Sequence, residues 1–400
     1  MTVDLECPLT IEWEALPKDR QPRVITAYSL DSAYLTSTDE WSVTVYDTDP
    51  ERLRWLALQP LSLSIHGNVQ LFGRVERVRR GDDGGAVTIS GRDHLSAIVE
   101  GNIDPTVRIT EDMTLAAAIL TVGLPHGIMT VYGDADAQTR SMKAGVPLKD
   151  GKDQGFPKIQ PGNLKPEAGA GSFEWLNKLA ARQGCTIQPG PQRGSVILSA
   201  PCYDQDPTAT FKRSRSVGTV AQNNVIDATS DENYSSFPTC GLATGKVAAT
   251  GKKAEAAAKV YDIGKAIAEV APQLYAKIRD LIISERIKPD PNKPAPDPLK
   301  LYRFLYVKDE ESRTAAQVEK AITRAVSERL RETLNYTVKA KGHRDPDSGA
   351  VFAIDTLATV KDEIADVDEV LWCASRRFTF QRNAGATSDL TYWRPGSFVL

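Results

Sequence analysis

The fold is decided by the stretch LSLSIHGNVQLFGRVERVRRGDDGGAVTISGRDHLSAIVE, residues 61–100. Its first six residues alternate apolar and polar side chains, which is the period-two pattern of a half-buried strand. The pair Gly67–Asn68 then provides a turn, because both residues tolerate positive φ. A second strand follows, and the chain turns again at Gly81–Gly85 and returns as a strand over Ala86–Ser90. We therefore expect three antiparallel strands of a small barrel, which end at the polar corner Gly91–Asp93.

The residues before this stretch complete the same domain. Residues 9–13, 23–28 and 41–46 contain the β-branched and aromatic side chains that favour strands. A short helix is expected over 50–58, because proline suits the first position of a helix. We predict that residues 1–102 form a first small antiparallel β-barrel domain.

Residues 103–208 have the pattern of an α/β domain. The expected elements are a helix over 110–122, an exposed loop rich in Gly, Pro and Lys over 140–171, a helix over 172–183 and a hairpin of 185–188 with 195–198. The first helix should end at Gly123. The second should begin after the N-cap residue Ser172 and end at Gly184, since these residue types suit those positions.

The remainder of the sequence predicts a second barrel that a helical insertion interrupts. Strands are expected over 209–213, 224–229, 239–244, 336–342, 350–354, 356–361, 371–380 and 389–393. The barrel then comprises 209–245 and 335–400, and the insertion comprises 246–334. Within the insertion we expect a helix over 252–288 that Pro272 kinks or splits, a stiff Pro-rich loop over 289–298, and a second helix after the capping box 314–317.

Three blocks of this sequence resemble the baseplate hub proteins of contractile phage tails, the Mu-type or late-control-D hub family, which is related to the hub part of type VI secretion spikes. The first block has Gly73, Val75, Gly91, Arg92, Asp93, Val99 and Glu100. The second, a helix and hairpin, has Trp175, Leu176, Leu179, Ala180, Gly184 and Pro201. The third has Tyr336, Val338, Gly342, Arg344, Gly349, Phe378, Phe380, Gly385, Thr387, Leu390 and Pro395. Phe352 stands where family members often have Trp, and residues 246–312 are outside the resemblance.

The resemblance implies a structural protein and not an enzyme. It implies a homotrimer in which each subunit contributes two tube-like barrels, so that one ring matches the six-fold tail tube on one face and the three-fold central spike on the other. The expected partners are the tail tube or tube-initiator protein, the spike, the tape measure protein and baseplate wedge proteins. DNA should only pass through the channel, whose lining should be polar or acidic. The expected location is the tail baseplate of the virion, after synthesis in the host cytoplasm.

The composition is that of an ordinary globular protein. Of the 400 residues, 41% are hydrophobic and 25% are charged, which favours two to three folded domains over a disordered or fibrous chain. The net charge of −3 gives no overall attraction to nucleic acid or to a membrane surface. We expect neither a secretory signal nor membrane insertion, because the first ten residues lack a basic region followed by an apolar run and no apolar run could span a bilayer. The five scattered cysteines have neither zinc-site nor disulfide spacing.

We assign no catalytic, cofactor-binding or metal-ligating residue. Residues 241–247 (GLATGKV) are similar to a phosphate loop, but the spacing is one residue short and valine replaces the hydroxyl residue that would hold magnesium. His94 beside Asp93 could form an acid–base pair, yet neighbours on a strand point to opposite faces, which favours a structural corner. Residues 343–349 (HRDPDSG) have the alternate carboxylates of a calcium loop without the remaining ligands, which favours a hairpin turn.

Charged runs give weaker signals. Basic residues cluster in 74–80, 212–215 and 376–382, and aromatic residues in the last cluster give the mixture that single-stranded nucleic acid binds. A strand with charged residues outside and aromatic residues inside explains the same pattern, and we favour it. The acidic run 362–369 predicts a solvated loop, with a cation or partner site as the lesser alternative.

The predicted fold class is mainly β with α+β parts: two small antiparallel tail-tube-like barrels, an α/β domain between them and a helical insertion in the second barrel. The predicted function is a structural hub. Two alternatives stay open. A tail-associated peptidoglycan hydrolase would need two facing carboxylates, and 52 acidic residues single out no pair. A cell-surface-binding module would need an exposed aromatic patch around Trp41, Trp55 or Trp393.

Overall fold

The structure is a computed structural model. It describes residues 7–81, 85–110, 112–133, 146–147, 159, 166, 169–182, 184–190, 192–215, 224–245, 259–261, 274, 276, 279–282, 297, 300–309 and 315–397. The chain divides into two compact units, of which the first comprises 1–229, 337–368 and 373–392, and the second comprises 230–336, 369–372 and 393–400.

In the first part of the chain, the described residues form six strands and two short helices. The strands are β1 (Leu9–Trp13), β2 (Val24–Ala33), β3 (Glu40–Tyr46), β4 (Pro60–Ile65), β5 (Asn68–Arg80) and β6 (Ala86–Asp93). The helices are α1 (Pro50–Arg54) and α2 (Ser96–Glu100), and a 3₁₀ turn covers Lys18–Arg20. Asp49 caps α1, because its carboxylate accepts a hydrogen bond from the Glu51 backbone N–H at 3.0 Å. Strands β4, β5 and β6 confirm the three strands predicted around residues 61–93.

A smaller α/β part follows. Its described elements are α3 (Leu115–Gly123), a 3₁₀ turn (Leu124–His126), β7 (Thr130–Gly133), β8 (Val146–Pro147), α4 (Ser172–Arg182), β9 (Thr186–Pro189) and β10 (Ser195–Ser199). The four strands form one sheet in the order β8-β7-β10-β9, and β7 runs parallel to β10. The two helices and this sheet enclose one apolar core that includes Leu115, Ile119, Val131, Trp175, Leu176, Leu179, Ile187 and Val196.

The ends of α3 differ from the prediction. The helix begins at Leu115, because Thr114 acts as its N-cap and its hydroxyl accepts a hydrogen bond from Ala117 N at 3.3 Å. Gly123 is still helical, and the left-handed residue that ends the segment is Gly127, with φ of 87°. The loop predicted over 140–171 lies almost entirely outside the described residues.

The described residues of the rest of the chain form nine strands and one long helix. These are β11 (Ala209–Arg213), β12 (Val225–Asp231), β13 (Cys240–Gly245), β14 (Lys259–Tyr261), β15 (Phe304–Asp309), α5 (Ala315–Arg331), β16 (Asn335–Lys341), β17 (Leu357–Asp362), β18 (Val367–Gln381) and β19 (Gly385–Trp393), with a 3₁₀ turn at Arg279–Leu281. Residues 350–354, where we expected a strand, contribute only the isolated bridge between Arg344 and Val351.

Twelve of the strands belong to one mainly antiparallel sheet, so the predicted mainly-β class is confirmed. Its order is β1-β4-β5-β6-β3-β2-β18-β19-β16-β12, with β17 beside β18 and β11 beside β17. The strand order β1-β4-β5-β6-β3-β2 therefore recurs as β11-β17-β18-β19-β16-β12. The two six-strand sets join where β2 pairs antiparallel with β18. Among the described residues this sheet is open, since β1 and β12 end its path.

The insertion is not only helical. Strands β14 and β15 of the insertion pair with β13, which the sequence assigns to the second barrel, in a separate three-stranded sheet. Residues 259–261 form β14 inside the helix predicted over 252–288, because Leu242 and Val260 pair across an antiparallel ladder. The helix predicted after the capping box is confirmed as α5, which packs Val318, Ile322, Val326 and Leu330 on the second unit's core. The Pro-rich loop 289–298, apart from residue 297, lies outside the described residues, as does Thr314 of the capping box.

No helix in the described part of the chain combines the length and the apolarity needed to cross a membrane.

Candidate functional site: the outer face of the main sheet

The main sheet has one apolar face and one polar face. Along β3, for example, Trp41, Val43 and Val45 are buried, while the residues between them are partly or fully exposed. The same alternation runs along β6 and β2, as expected for an antiparallel sheet with one face on a core. We call the polar side the outer face.

Short hydroxyl side chains cross the outer face from strand to strand. The backbone register aligns Ser90 of β6, Ser42 of β3, Ser29 of β2 and Thr379 of β18 in one row. The Thr379 hydroxyl lies 2.8 Å from the Thr387 hydroxyl of β19 and extends the row. From β6 to β19 this row thus contains no long or charged side chain, and on β5 the register continues it with Arg77.

A second row on the outer face contains charges of both signs. It contains Arg92, Glu40, Asp31 and Arg377, which are aligned by register, and Asp389 and Lys339, which lie 4.0 Å apart. Arg377 forms an ion pair with Asp31 across the β2–β18 join. An open groove of about 930 Å³ follows this row beside the loop that connects β2 to β3. The balance of signs means that the row presents no strongly basic surface to a polyanion.

Two glycines of the resemblance, Gly73 and Gly91, have no room for a side chain. Trp41 and the backbone of a neighbouring strand occupy the space that a Cβ atom would need. A Cβ atom at Gly91 would lie 2.1 Å from the Arg74 carbonyl oxygen and 3.1 Å from the Trp41 ring. A Cβ at Gly73 would lie 2.6 Å from the Arg92 carbonyl oxygen and 2.9 Å from Trp41 Nε1. Trp41 itself is 2% exposed, so it cannot belong to the exposed aromatic patch that a cell-surface-binding module would need.

The Gly-Arg-Asp corner fixes the loop between β2 and β3. The buried Asp93 carboxylate accepts hydrogen bonds from Asp39 N at 2.9 Å and from Leu95 N at 2.8 Å. Asp39 is buried as well, and its carboxylate accepts a hydrogen bond from the Ser32 hydroxyl at 2.9 Å. Arg92 points to the outer face, where it binds Glu76 and Glu100. The corner therefore separates a buried carboxylate pair from a surface ion-pair cluster.

The buried carboxylates have unusual proton affinities. Burial raises the pKa of Asp39 to about 7, the charge of Asp93 adds to the rise, and Arg376 and the Ser32 hydroxyl partly offset it. Burial also raises the pKa of Asp93. Because the folded chain binds the Asp39 proton more tightly than the unfolded chain, this group stabilises the fold fully below about pH 4 and loses that contribution as the pH rises to about 7.

We predict that Asp39→Asn removes this loss. The asparagine is neutral and can still accept the Ser32 hydrogen bond, so the variant should gain stability relative to the parent chain between about pH 4 and pH 7, by up to a few kcal/mol. Urea unfolding of both chains at the two ends of that range measures the gain. The matched control is Asp19→Asn at an exposed position, which makes the same change in net charge. A difference between Asp39→Asn and the parent that stays constant with pH would contradict the prediction.

A second buried polar chain joins the two six-strand sets. The Ser388 hydroxyl donates to Gly342 O at 2.6 Å, so it accepts from His343 Nδ1 at 2.9 Å. His343 Nε2 then accepts from the Tyr28 hydroxyl at 2.6 Å. Burial lowers the pKa of His343 to about 3, in agreement with a neutral ring. His343 is fully buried, so this chain orders strands instead of meeting a substrate.

The other sequence candidates have backbone partners. His94 Nε2 donates a hydrogen bond to Ser195 O at 2.7 Å. In the described part of the chain, no hydrogen bond joins His94 to the Asp93 carboxylate. The Asp345 carboxylate accepts hydrogen bonds from the backbone N–H groups of Asp347, Ser348 and Thr210. Of the phosphate-loop-like segment, residues 241–245 lie in β13, and residues 246–247 lie outside the description.

The acidic run 362–369 is more than a solvated loop. Asp362 is 2% exposed and binds Arg213 at 2.9 Å. Glu369, at the other end, is 8% exposed and binds Arg394 at 3.0 Å. Sequence reasoning missed both pairs, because their partners are distant in the chain and no local spacing connects them. In the described part of the chain, no group of three or more His, Cys, Asp or Glu could hold a metal ion.

Comparison with solved structures gives full-length likenesses to phage tail proteins. A tail protein from Neisseria meningitidis MC58 matches with a TM-score of 0.67 and 18% identity, over 98% of this chain and 97% of that one. The 43 kDa tail protein of prophage MuSo2 from Shewanella oneidensis matches with a TM-score of 0.62 and 17% identity, over 98% of both chains. The prophage tail protein gp18 from Listeria monocytogenes EGD-e matches with a TM-score of 0.50 and 12% identity, over 91% and 87%.

These likenesses confirm, at the level of the fold, the resemblance to phage tail hub proteins that the sequence indicated. No family model matches the chain, and no curated protein sequence matches it.

Proposed function

We propose that this chain is a structural hub of a contractile phage tail or a related injection machine. Three copies would form a ring that joins the six-fold tail tube to the three-fold central spike and lines the channel between them. The observation that carries the proposal is the repeated six-strand set, in a fold shared over the whole length with phage tail proteins.

The repeat supplies the symmetry argument. Each six-strand set would be one tube-like barrel domain, the first in residues 1–102 and the second in 209–245 with 335–400. Three chains then contribute six similar domains, which can match a six-fold tube, while the ring as a whole keeps three-fold symmetry for the spike. The α/β part, residues 103–208, and the insertion, residues 246–334, would lie outside the tube.

The outer face is the surface we assign to the channel. From β6 to β19 its row of short hydroxyl groups is uncharged, and its charged row contains both signs, so that a passing DNA would meet no continuous basic track on these strands. Arg74 and Arg77 of the basic cluster 74–80 lie on β5 and extend the two rows, opposite Arg92 and Ser90. This distribution suits a lining that DNA crosses without binding, and the proposed role requires no catalytic residue.

The partners follow from the position in the tail. We propose that the ring binds the tube or tube-initiator protein on one side and the central spike on the other, with the tape measure protein and baseplate wedge proteins as further neighbours. The location would be the tail baseplate of the virion.

Light scattering across a range of concentrations tests the assembly. We expect the purified protein to reach a mass near three times 43.7 kDa as its concentration rises. A chain that stays monomeric at every concentration would contradict the proposal that three copies assemble through their own surfaces.

A further inference from the structure

Strand β5 is the exception to the low net charge of the outer face. Three arginines are exposed along it, and we call Arg74, Arg77 and Arg79 the arginine row. The backbone register sets Arg77 opposite Ser90 and Arg79 opposite Thr88, which both lie on the outer face of β6. The outer face therefore carries one line of like charges, confined to a single strand.

A β-bulge brings the three arginines to the same face. Along a regular strand, Arg74 would share a face with Glu76. Arg77 and Arg79 would point to the opposite side together with Val75, which is fully buried. The register of β5 with β6 shifts between Val75 and Arg77, so that Glu76 is an extra residue in β5. This shift turns Arg77 and Arg79 outward, which is a known effect of bulges beside functional sites.

The other charged groups beside the arginine row have partners within the fold. Arg92 binds Glu76 and Glu100. Arg80, at the end of β5, donates a hydrogen bond to Leu53 O of α1 at 3.2 Å. The three arginines of the row form no ion pair and no side-chain hydrogen bond with a described residue. Because like charges along a strand repel each other, the row does not stabilise the sheet, and its guanidinium groups are available to a ligand.

The spacing and the surroundings of the arginine row fit a chain of phosphates. Outward positions on a strand are about 7 Å apart, so the three cations extend over about 14 Å. A guanidinium group binds phosphate oxygens through two parallel hydrogen bonds, and the Ser90 hydroxyl beside Arg77 offers a further donor. The next outer-face residues on β3, Ser42 and Thr44, are small and polar. This surface therefore lacks the apolar pocket that anchors a bound peptide.

We propose that the arginine row binds the phosphate backbone of DNA, with one strand of the DNA lying along β5. Three phosphate contacts give weak binding, with a dissociation constant on the order of 10⁻⁴ M or weaker at physiological salt, so DNA held in this way could still move. The inference rests on the proposed channel only for its role there. On a lining that otherwise has no continuous basic track, the row would be the place where DNA is retained.

Fluorescence anisotropy tests the row with a labelled DNA duplex and with the same sequence as a single strand. Between about 50 and 200 mM salt, a plot of log binding constant against log salt concentration should have a slope of about −2.7 for the duplex and about −2.1 for the single strand, because three phosphates are neutralised. Arg77→Gln with Arg79→Gln leaves one contact. Both slopes should shrink to about a third, and binding at the lowest salt should weaken by at least about tenfold.

Two further variants separate the role of charge at this strand from other effects. Arg77→Lys with Arg79→Lys keeps both cations, so the slopes should stay near those of the parent chain. The matched control is Arg108→Gln with Lys178→Gln, which makes the same change in net charge as the glutamine variant of the row, at exposed positions of the α/β part. It should bind DNA like the parent chain. Circular dichroism checks that every variant is folded.

The outcomes decide the proposal on the single chain. A slope that shrinks in the glutamine variant supports the row, and the DNA form on which it shrinks identifies the ligand. The proposal is wrong if the parent does not bind DNA at about 50 mM salt, or if the glutamine variant keeps the parent slopes on both forms. It is also wrong if poly-glutamate of equal charge competes as strongly as DNA, which would indicate an acidic protein partner. A failure here leaves the proposed ring standing, because light scattering tests the ring separately.

Discussion

Gly91→Ala is expected to lower the free energy of unfolding by about 3 kcal/mol or more, at the upper end of the cost of overpacking a core. The added methyl group would lie 2.1 Å from the Arg74 carbonyl oxygen, a backbone atom that cannot rotate away, and against the Trp41 ring. Strands β5 and β6 would have to separate, and the strain would fall on a side of the sheet where Trp41 is 2% exposed.

Two further substitutions isolate the clash from other effects. Gly67→Ala has open space around the new atom but a φ of 80°, so it should cost only about 1 kcal/mol through backbone strain. Ser90→Ala, one residue before Gly91 and on the outer face, should change stability by no more than about 0.5 kcal/mol. Urea unfolding followed by circular dichroism measures all three. A Gly91→Ala cost no larger than that of Gly67→Ala would show that the close approach is not maintained.

Arg394→Met is expected to be the second strongly destabilising change, with a loss of about 3–5 kcal/mol. The guanidinium is 1% exposed and binds Glu369 through both carboxylate oxygens, at 3.0 and 3.2 Å. It also donates to the backbone carbonyl and the hydroxyl of Thr333, at 3.3 and 3.2 Å. Removing the cation leaves the Glu369 carboxylate buried without its partner, which costs more than the ion pair itself contributes.

A second substitution should restore part of the stability that Arg394→Met loses. Such a restoration would not occur if the loss came from packing alone. Combining Arg394→Met with Glu369→Leu removes both charges, so the double variant should recover a large part of the lost stability. Arg329→Met is the surface control, because Arg329 pairs with Glu332 at 3.3 Å with both side chains more than 40% exposed, and it should cost under about 1 kcal/mol. Thermal unfolding compares the variants. A double variant less stable than Arg394→Met alone would contradict the interpretation of the buried pair.

Local patterns predicted the parts of the fold whose causes are local. The alternation in residues 61–93 predicted three strands, and the apolar spacing of Val318, Ile322 and Val326 predicted α5, because each pattern reports which side of one element is buried. Helical spacing over 252–288 failed at 259–261, where pairing with β13 decides the backbone and no local signal reports that pairing.

Long-range contacts set the rest. Sequence reasoning placed Gly91 and Asp93 at a corner but gave no reason for the glycine, since Trp41 lies fifty residues earlier. The parallel pairing of β7 with β10 was missed, because a four-residue strand has little periodicity of its own. The buried pair of Arg394 with Glu369 was missed as well, since buried charges appear in sequence as ordinary surface residues.

The most direct test of the proposed channel is a cryo-electron microscopy reconstruction of the assembled protein. We expect a ring of three copies with six similar β domains around a central opening. Ser29, Ser42 and Thr379 of every copy should face that opening. An assembly in which this row of hydroxyl groups faces outward, or is covered by another part of the protein, would contradict the assignment of the outer face to a channel.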